Sequence, residues 1–421
     1  MKLDIRTKRQ DLTISDYVKD KPFRSTFVLS TGFGKSRVAI EILKRLDPPK
    51  ILILVNSEKL RDFTWKQEFK DFDAMYLYER SEIVTYQLAA KWTQKTKNLD
   101  NHFVVADEVD FAADTLKYSK FFSEYPDLPV LGMTGFITEA KRPWFDQNLP
   151  VYTKYTTWQA QSDGILNKIK VHLVKFMLST VQTNEVEYID EYGKKKSFYQ
   201  SDNDSYDYHQ KAIERIAGKK AEAKAEYLVG NLTSIQLDKK LKSLDYLYNK
   251  AATKRRDVIL NSEANIQIAK ALIEYKCKEE GSKIITFSKR VANAQKIGGE
   301  TQSFHGANRK AVNNTAFNAF LNGDINYLSV CGKIDRGVTI PGLNVGIFES
   351  YFGDDTKAAQ RFGRLLRLKP DEVAEVFILV PYYNRKLQDG TFKVSPTVQL
   401  GWAKDMLRST VISDYSVWDY R

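Results

Sequence analysis

The chain has 421 residues, a formal net charge of +12, 43% hydrophobic residues and two distant cysteines. This length exceeds one small binding module, at ~150 residues per domain, and the cysteines exclude a disulfide framework or a cysteine zinc site. Because no apolar run approaches the ~20 residues of a membrane span, we expect no membrane partner and a cytoplasmic, intracellular protein whose basic charge favours nucleic acid.

A glycine-rich loop follows the first predicted strand. The apolar run Phe27–Leu29 precedes STGFGKSR, and apolar residues then recur at helical spacing through VAIEILKRL. A phosphate-binding loop needs glycines that turn the backbone, a lysine for the β and γ phosphates and a hydroxyl for Mg²⁺. The residues of this loop that we assign to nucleotide binding are Thr31, Gly32, Phe33, Gly34, Lys35 and Ser36.

Two carboxylates follow a second apolar strand, Phe103–Ala106, in the segment FVVADEVD. A parallel sheet presents the carboxyl ends of its strands to a ligand. Asp107 can hold Mg²⁺ there through water, and Glu108 can orient an attacking water. The order of the two segments predicts an ATP site in which Ser36 and Asp107 bind the metal.

The middle of the chain has a different pattern. Alternating apolar residues in VHLVKFML are followed by a predicted hairpin around EYGKKKSFYQ and by a lysine-rich helical part from Gln210 to Arg256. Two interpretations remain open. The helices either pack on the following domain, or they form a clamp in which basic residues such as Lys194, Lys195 and Lys196 contact phosphates.

The last part repeats the rhythm of the first. IQIAKALIEY predicts a helix, and KIITFS, NYLSV, VGIFES and VFILV predict strands. We therefore predict an α/β fold with two parallel sheets covered by helices and a middle hairpin and helical insertion. The predicted divisions are a first domain at 1–165, a middle segment at 166–255 and a second domain at 256–421.

The chain resembles the superfamily 2 helicases, because the motifs of that family occur in order. Gln10 resembles the glutamine that reads adenine, ILILVNSEKLRDFTWKQEF resembles motif Ia and IVTYQ motif Ib. DEVD matches motif II in all but one letter, and GMTGF resembles the threonine and alanine coupling motif with Gly135 in place of the alanine. KIITFS resembles motif IV, DRGVTIPGLN motif V and QRFGRLLR, at 360–367, motif VI.

The resemblance implies two RecA-like domains with ATP bound between them. Lys35 and Glu108 would act from the first domain, and Gly337 of motif V would contact the nucleotide. Arginines on a second domain can neutralise charge that develops on the γ-phosphate, once the cleft closes. The residues that the resemblance assigns to this role are Gln360, Arg364 and Arg367.

We therefore predict an ATP-dependent helicase or translocase, acting on DNA rather than RNA as a monomeric motor. It looks closest to short phage and bacterial enzymes that remodel branched DNA, which suggests a phage-encoded protein acting in the host cytoplasm. Two alternatives stay open. The chain could be the motor subunit of a restriction complex, or a nucleic-acid-binding protein with a degenerate ATP site, because Leu29, Gly135 and Thr339 depart from the family pattern.

Overall fold

The structure is a computed structural model. The residues that it describes are 4–58, 60–189, 192–332, 340–350, 363, 365, 368–369, 371–409 and 415–420. In this part of the chain, no helix combines the length and the apolar character that crossing a bilayer requires.

The first half folds into a parallel sheet with helices on both faces. Its strands are β1 (Arg24–Leu29), β2 (Lys50–Val55), β3 (Ser81–Thr85), β4 (His102–Asp107), β5 (Val130–Thr134) and β6 (Val151–Tyr155). Its helices are α1 (Ile5–Asp20), α2 (Lys35–Leu46), α3 (Trp65–Asp71), α4 (Met75–Tyr78), α5 (Tyr86–Ala89), α6 (Leu116–Glu124), α7 (Arg142–Asn148) and α8 (Thr157–Ser162). The strand order is β3-β2-β4-β5-β1-β6, so β1 and β4, which carry the two predicted motifs, are separated only by β5.

Strand β2 shows why this sheet is buried on both faces. Ile51 and Ile53 lie in one hydrophobic core, whereas Leu52 and Leu54 lie in another on the opposite side. Side chains of a strand alternate between faces, so a continuous apolar run such as ILILV fits only a strand that is covered on both sides.

The middle of the chain contains three strands and two long helices. They are β7 (Lys168–Met177), β8 (Gln182–Ile189), β9 (Lys195–Ser201), α9 (Asp202–Leu228) and α10 (Ser234–Asn261). Strands β8 and β9 pair with each other in antiparallel register, which confirms the predicted hairpin. Helices α9 and α10 pack against each other along their length, and we call them the helical pair.

The helical pair differs from the single helical part that the sequence predicts. Gly230, with a φ of 80°, ends the first helix. Thr233 then caps the second, because its side chain accepts a hydrogen bond from the backbone of Gln236 while the Gln236 side chain accepts from the Thr233 backbone. This capping box, within a lysine-rich run, is the signal that places a turn there.

The second half forms another sheet. Its further strands are β10 (Ile284–Ser288), β11 (Ser303–His305), β12 (Tyr327–Cys331), β13 (Val345–Phe348), β14 (Val373–Lys386), β15 (Phe392–Pro396) and β16 (Ser416–Asp419). Its helices are α11 (Glu263–Cys277), α12 (Val291–Gly298), α13 (Lys310–Asn322) and α14 (Val398–Ser409). The order is β11-β12-β10-β13-β14-β7-β16, parallel throughout, and β15 pairs with β14 in antiparallel register.

Strand β7 belongs to this second sheet, although the sequence analysis assigns it to the middle segment. It pairs with β14 from Lys168 opposite Val373 to Met177 opposite Tyr382. The alternating pattern of VHLVKFML identifies a strand but not its partner, which lies some two hundred residues later. The hairpin and the helical pair therefore form an insertion within the second sheet's chain, and the α/β class with two parallel sheets is confirmed.

Candidate nucleotide-binding site

The predicted phosphate loop lies between β1 and α2, at the carboxyl edge of the first sheet. Gly32 and Gly34 have φ values of 88° and 93°, a region that a glycine reaches without steric cost. Phe33 donates its backbone N–H to the Ser30 carbonyl at 3.1 Å. Its ring is buried beside Tyr155, so Phe33 anchors the loop, and its predicted contact with the nucleotide stays a prediction.

Gln10 reaches this loop from α1. Its Nε2 donates to the Phe33 carbonyl at 2.5 Å, and its Oε1 accepts from Arg37, which also pairs with Asp11 at 3.3 Å. A Cβ added to Gly34 would lie 2.4 Å from the Gln10 Nε2, so the close approach requires a glycine. Gln10 is therefore tied to the loop, and its role in reading adenine stays a prediction.

Lys35, Asp107 and Glu108 meet at the same edge. The Lys35 Nζ lies 4.0 Å from the Glu108 Oε1, and the Asp107 Oδ2 accepts a hydrogen bond from the Trp65 indole at 3.3 Å. Burial raises the pKa of Asp107, the charge of Glu108 adds to the rise, and Lys35 opposes it. The structure thus places the two predicted motifs together.

Glu108 has a left-handed backbone with a φ of 49°. Non-glycine residues reach this region at a cost of ~1 kcal/mol or more, and such strain concentrates at functional sites. The backbone turns at Glu108, directly after strand β4 ends, and the Glu108 side chain faces Lys35. Its observed geometry agrees with a residue that is held for chemistry rather than for packing.

Asp110 is the centre of a second network of polar contacts, which no sequence motif had predicted. Thr134 Oγ1 donates to the Asp110 Oδ1 at 2.8 Å, and the Lys141 Nζ lies 3.4 Å from the Asp110 Oδ2. Burial raises the pKa of Asp110, with a further rise from Glu108, and Lys141 opposes it. The last letter of DEVD thus links β4 to the GMTGF segment, which the order of motifs could have suggested.

Gly135, where the family has alanine, lies close to the phosphate loop. A Cβ added there would lie 3.3 Å from the Thr31 Oγ1 and 3.7 Å from the Lys35 Nζ. The site would accommodate an alanine after a shift of a few tenths of an ångström. Compared with alanine, Gly135 therefore removes only a methyl group beside Lys35, and no polar group is lost.

The second half contributes Gly363 of the QRFGRLLR segment to this edge. A Cβ added to Gly363 would clash with the Thr31 side chain, so the backbone of Gly363 lies directly against the phosphate loop. The assigned residues Gly337, Gln360, Arg364 and Arg367 lie outside the described residues. Their roles stay predictions, because the structure describes only Gly363 and Leu365 of this segment.

The residues present fit ATP and Mg²⁺. Mg²⁺ prefers oxygen ligands, which the Asp107 carboxylate and the Ser36 hydroxyl supply directly or through water. Burial disfavours the charged Asp107 carboxylate, and a nearby cation would offset that penalty. The Ser30 hydroxyl is buried without a hydrogen-bond partner among the described residues, so the loop retains unused polar capacity.

Comparison with protein families gives two matches. Residues 7–139 match the family described as Type III restriction enzyme, res subunit, and residues 264–369 match the family described as Helicase conserved C-terminal domain. The first match contains the phosphate loop and DEVD, and the second contains QRFGRLLR. No curated protein matches the chain in sequence.

Solved structures share the fold. The chain is similar to an ATP-dependent Type ISP restriction-modification enzyme, LlaBIII, bound to DNA, with a TM-score of 0.58 and 13% identity; the match covers 100% of this chain and 31% of that one. It is also similar to S. cerevisiae Dbp5 bound to RNA and ADP BeF3, with a TM-score of 0.55, 12% identity and coverage of 97% and 89%. At these identities the likeness supports two RecA-like domains.

Proposed function

We propose that this chain, which belongs to the superfamily 2 helicases, is an ATP-dependent helicase that acts on DNA and unwinds or remodels duplex or branched molecules. One observation carries the proposal. The phosphate loop, the DEVD carboxylates and the glycine of QRFGRLLR meet at one edge, so ATP bound there would contact both halves of the chain. Hydrolysis at such a junction can change the relation between the halves and move them along a strand.

Each residue has a proposed role. Lys35 binds the β and γ phosphates, and Glu108 orients the attacking water. Bound Mg²⁺, held by Ser36 and by Asp107, would neutralise charge on the phosphate oxygens. The residues that complete the γ-phosphate site from the second half are Gln360, Arg364 and Arg367.

The choice of DNA over RNA rests on likeness to known proteins. The net charge of +12 favours a polyanion but does not discriminate between the two. The first half matches a restriction-enzyme family, and the LlaBIII structure is bound to DNA, whereas the Dbp5 structure is bound to RNA. We take DNA as the substrate because the restriction likeness combines the family match with the higher of the two TM-scores.

The helical pair provides a candidate phosphate-binding surface. Contacts between Lys220 and Asp245 at 2.5 Å, and between Lys240 and Glu226 at 2.7 Å, fix its antiparallel register. In that register Arg215 lies opposite Lys250, and helical periodicity places each of them beside a cation one turn away. We call the resulting set the basic patch, and its residues are Arg215, Lys219, Lys250 and Lys254.

The basic patch differs from several other cations of the helical pair. Its four side chains belong to exposed residues, and none of them has an ion-pair partner in the described part of the chain. By contrast, Lys211 and Lys242 pair with carboxylates of their own helices, and Arg255 donates to Gln210. Cations without carboxylate partners remain available for phosphates, which supports a DNA contact here.

A salt series tests this surface. We expect replacement of the four patch residues by glutamine to weaken binding to forked DNA at least tenfold and to reduce the magnitude of the salt slope by about 3.6, since each lost phosphate contact removes ~0.9. A matched variant changes four exposed cations of the same helices outside the patch: Lys224, Lys239, Lys242 and Arg256. Equal slopes and affinities for the two variants would remove the patch from the proposal.

The likeness to restriction enzymes favours one alternative. The chain spans 31% of the length of LlaBIII, so it could serve as the motor part of a larger restriction assembly. A purified chain that displaces a strand from forked DNA with ATP, while Lys35→Ala does not, supports a stand-alone motor. Activity only after addition of a nuclease or modification subunit would favour the alternative.

A further inference from the structure

Asn167 occupies the junction between the two sheets. The two residues before it, Ile165 and Leu166, are buried in the core of the first sheet. The residue after it, Lys168, begins strand β7 of the second sheet. Asn167 itself is completely buried, although an asparagine is seldom found in such a place.

Both polar atoms of the Asn167 side chain make hydrogen bonds, and one of these bonds reaches a residue of QRFGRLLR. Its Nδ2 donates to the Leu365 carbonyl at 3.0 Å and to the Lys168 carbonyl at 3.1 Å. Its Oδ1 accepts the Leu368 N–H at 3.3 Å. One amide therefore connects the junction to backbone groups on both sides of Arg367 in the sequence.

Apolar packing alone would leave this segment poorly specified. Leu365 is buried in the second core and lies against Gly346 of β13, where an added Cβ would lie 2.7 Å from the Leu365 Cδ1. Such contacts hold the segment down but do not fix its backbone direction, because the hydrophobic effect is not directional. Hydrogen bonds to a carbonyl and an N–H three residues apart do fix it.

We propose that Asn167 is a positioning residue for the arginine segment. It holds the backbone around Leu365 and Leu368 in register with the junction while Gly363 lies against Thr31 of the phosphate loop. The inference rests on the proposed function, since it assumes that Arg367 acts on the γ-phosphate. Because residues 165–166 are anchored in the first core, Asn167 also ties the arginine segment to the half that carries Lys35.

The expected consequence is a loss of catalysis rather than of binding. Displacement of a catalytic group by ~1 Å can cost about a hundredfold in rate. We expect Asn167→Ala to lower kcat roughly ten- to a hundredfold, with the nucleotide Kd changed less than about threefold, because Lys35 and its loop remain in place. Asn167→Ser, which stays neutral and has one hydroxyl in place of the amide, serves if the alanine variant does not fold.

Asn344 provides a matched control in the same half. Its Nδ2 donates to the Gly281 carbonyl at 3.1 Å, and its Oδ1 accepts the Lys283 N–H at 2.8 Å. Neither bond involves the phosphate loop. Asn344→Ala therefore removes a similar pair of backbone bonds without touching the arginine segment. We expect it to lower Tm comparably but to leave kcat within about twofold of wild type.

A double-mutant cycle with Arg367→Ala decides the matter. If Asn167 acts through Arg367, adding Asn167→Ala to Arg367→Ala costs little further kcat, because the two residues act as a unit. Independent, multiplying losses, or an equal kcat loss in Asn344→Ala, would overturn the proposal. If Arg367→Ala alone keeps full turnover, the proposed role of the arginine fails first, and that result is distinguishable from a failure at Asn167.

Discussion

Each sheet has a carboxylate with a raised pKa at its carboxyl edge, but the surroundings of the two differ. Asp107, in the first sheet, has Lys35 and Glu108 as charged neighbours. Glu349, directly after β13 in the second, is completely buried and accepts hydrogen bonds from neutral groups, Asn293 at 3.0 Å and Ser350 at 2.9 Å. Burial raises the pKa in both places, and it brings that of Glu349 to about 7.

A raised pKa alone therefore does not identify a carboxylate as a catalytic group. At the first edge, Lys35 lies beside the two carboxylates, and Glu108 has a left-handed backbone. At the second edge, Asn293 also donates to the Leu260 carbonyl at 2.8 Å, so Glu349 helps to hold α10 and α12 together. We therefore assign turnover to the first edge and architecture to the second.

The largest expected effect comes from the cation of the first edge. Lys35→Ala removes the positive charge that meets the β and γ phosphates, and we expect ATP turnover to be abolished while the fold remains intact. Arg45→Ala, on the exposed part of the same helix, is the control. Near wild-type turnover in a folded Lys35→Ala protein would contradict the assignment of the site.

The next effect concerns Arg367, which is predicted to act on the γ-phosphate from the second half. We expect Arg367→Ala to keep most of the nucleotide affinity and to lose ~10³-fold in hydrolysis, as is typical of an arginine finger. Nucleotide titration and steady-state turnover measure the two quantities. Equal losses in both, or no loss in either, would remove Arg367 from this role.

A smaller effect on stability is expected at the second edge. The folded pKa of Glu349, about 7, lies above the ordinary value of 4.5, so the folded state favours the protonated carboxyl. This contribution is complete below pH 4.5 and is lost as the pH rises through 7. Glutamine stays neutral at both pH values. We therefore expect the unfolding free energy of Glu349→Gln, relative to that of wild type, to rise by roughly 2 kcal/mol from pH 5 to pH 8.

Denaturant unfolding of the two proteins at both pH values measures this difference. Turnover should stay within about threefold of wild type in Glu349→Gln, since the described groups that bond to this carboxyl are all neutral. A difference in stability that does not change with pH would show that Glu349 is ionised in the folded protein. The contrast between the two edges would then lose its electrostatic basis.

The first edge could be predicted from the sequence because its signals are local. Gly32, Gly34 and Lys35 follow one apolar strand, and Asp107 and Glu108 follow another, so a parallel sheet is enough to bring them together. The break between α9 and α10 at Gly230 was not predicted, because lysine-rich helical periodicity continues on both sides of it. The capping box of Thr233 and Gln236 marks it nevertheless.

The contacts that depend on distant partners could not be predicted in this way. Asn167 follows an apolar pair and precedes a strand, and nothing in that neighbourhood indicates that it contacts Leu365 and Leu368. The partner of strand β7 is similarly remote, since alternation specifies a strand and a face but not a register. Such long-range pairings are decided by packing of the whole fold.

The central claim, a DNA-dependent ATPase built at the edge of the first sheet, is tested most directly by one ATPase measurement. Turnover of the wild-type chain is compared without polymer and with single-stranded DNA, duplex DNA, forked DNA and RNA, with Lys35→Ala measured in parallel. We predict that DNA, and forked or duplex DNA above all, stimulates turnover in the wild type and in no case in Lys35→Ala. Stimulation by RNA alone, or equal turnover with every polymer and with none, would contradict the account.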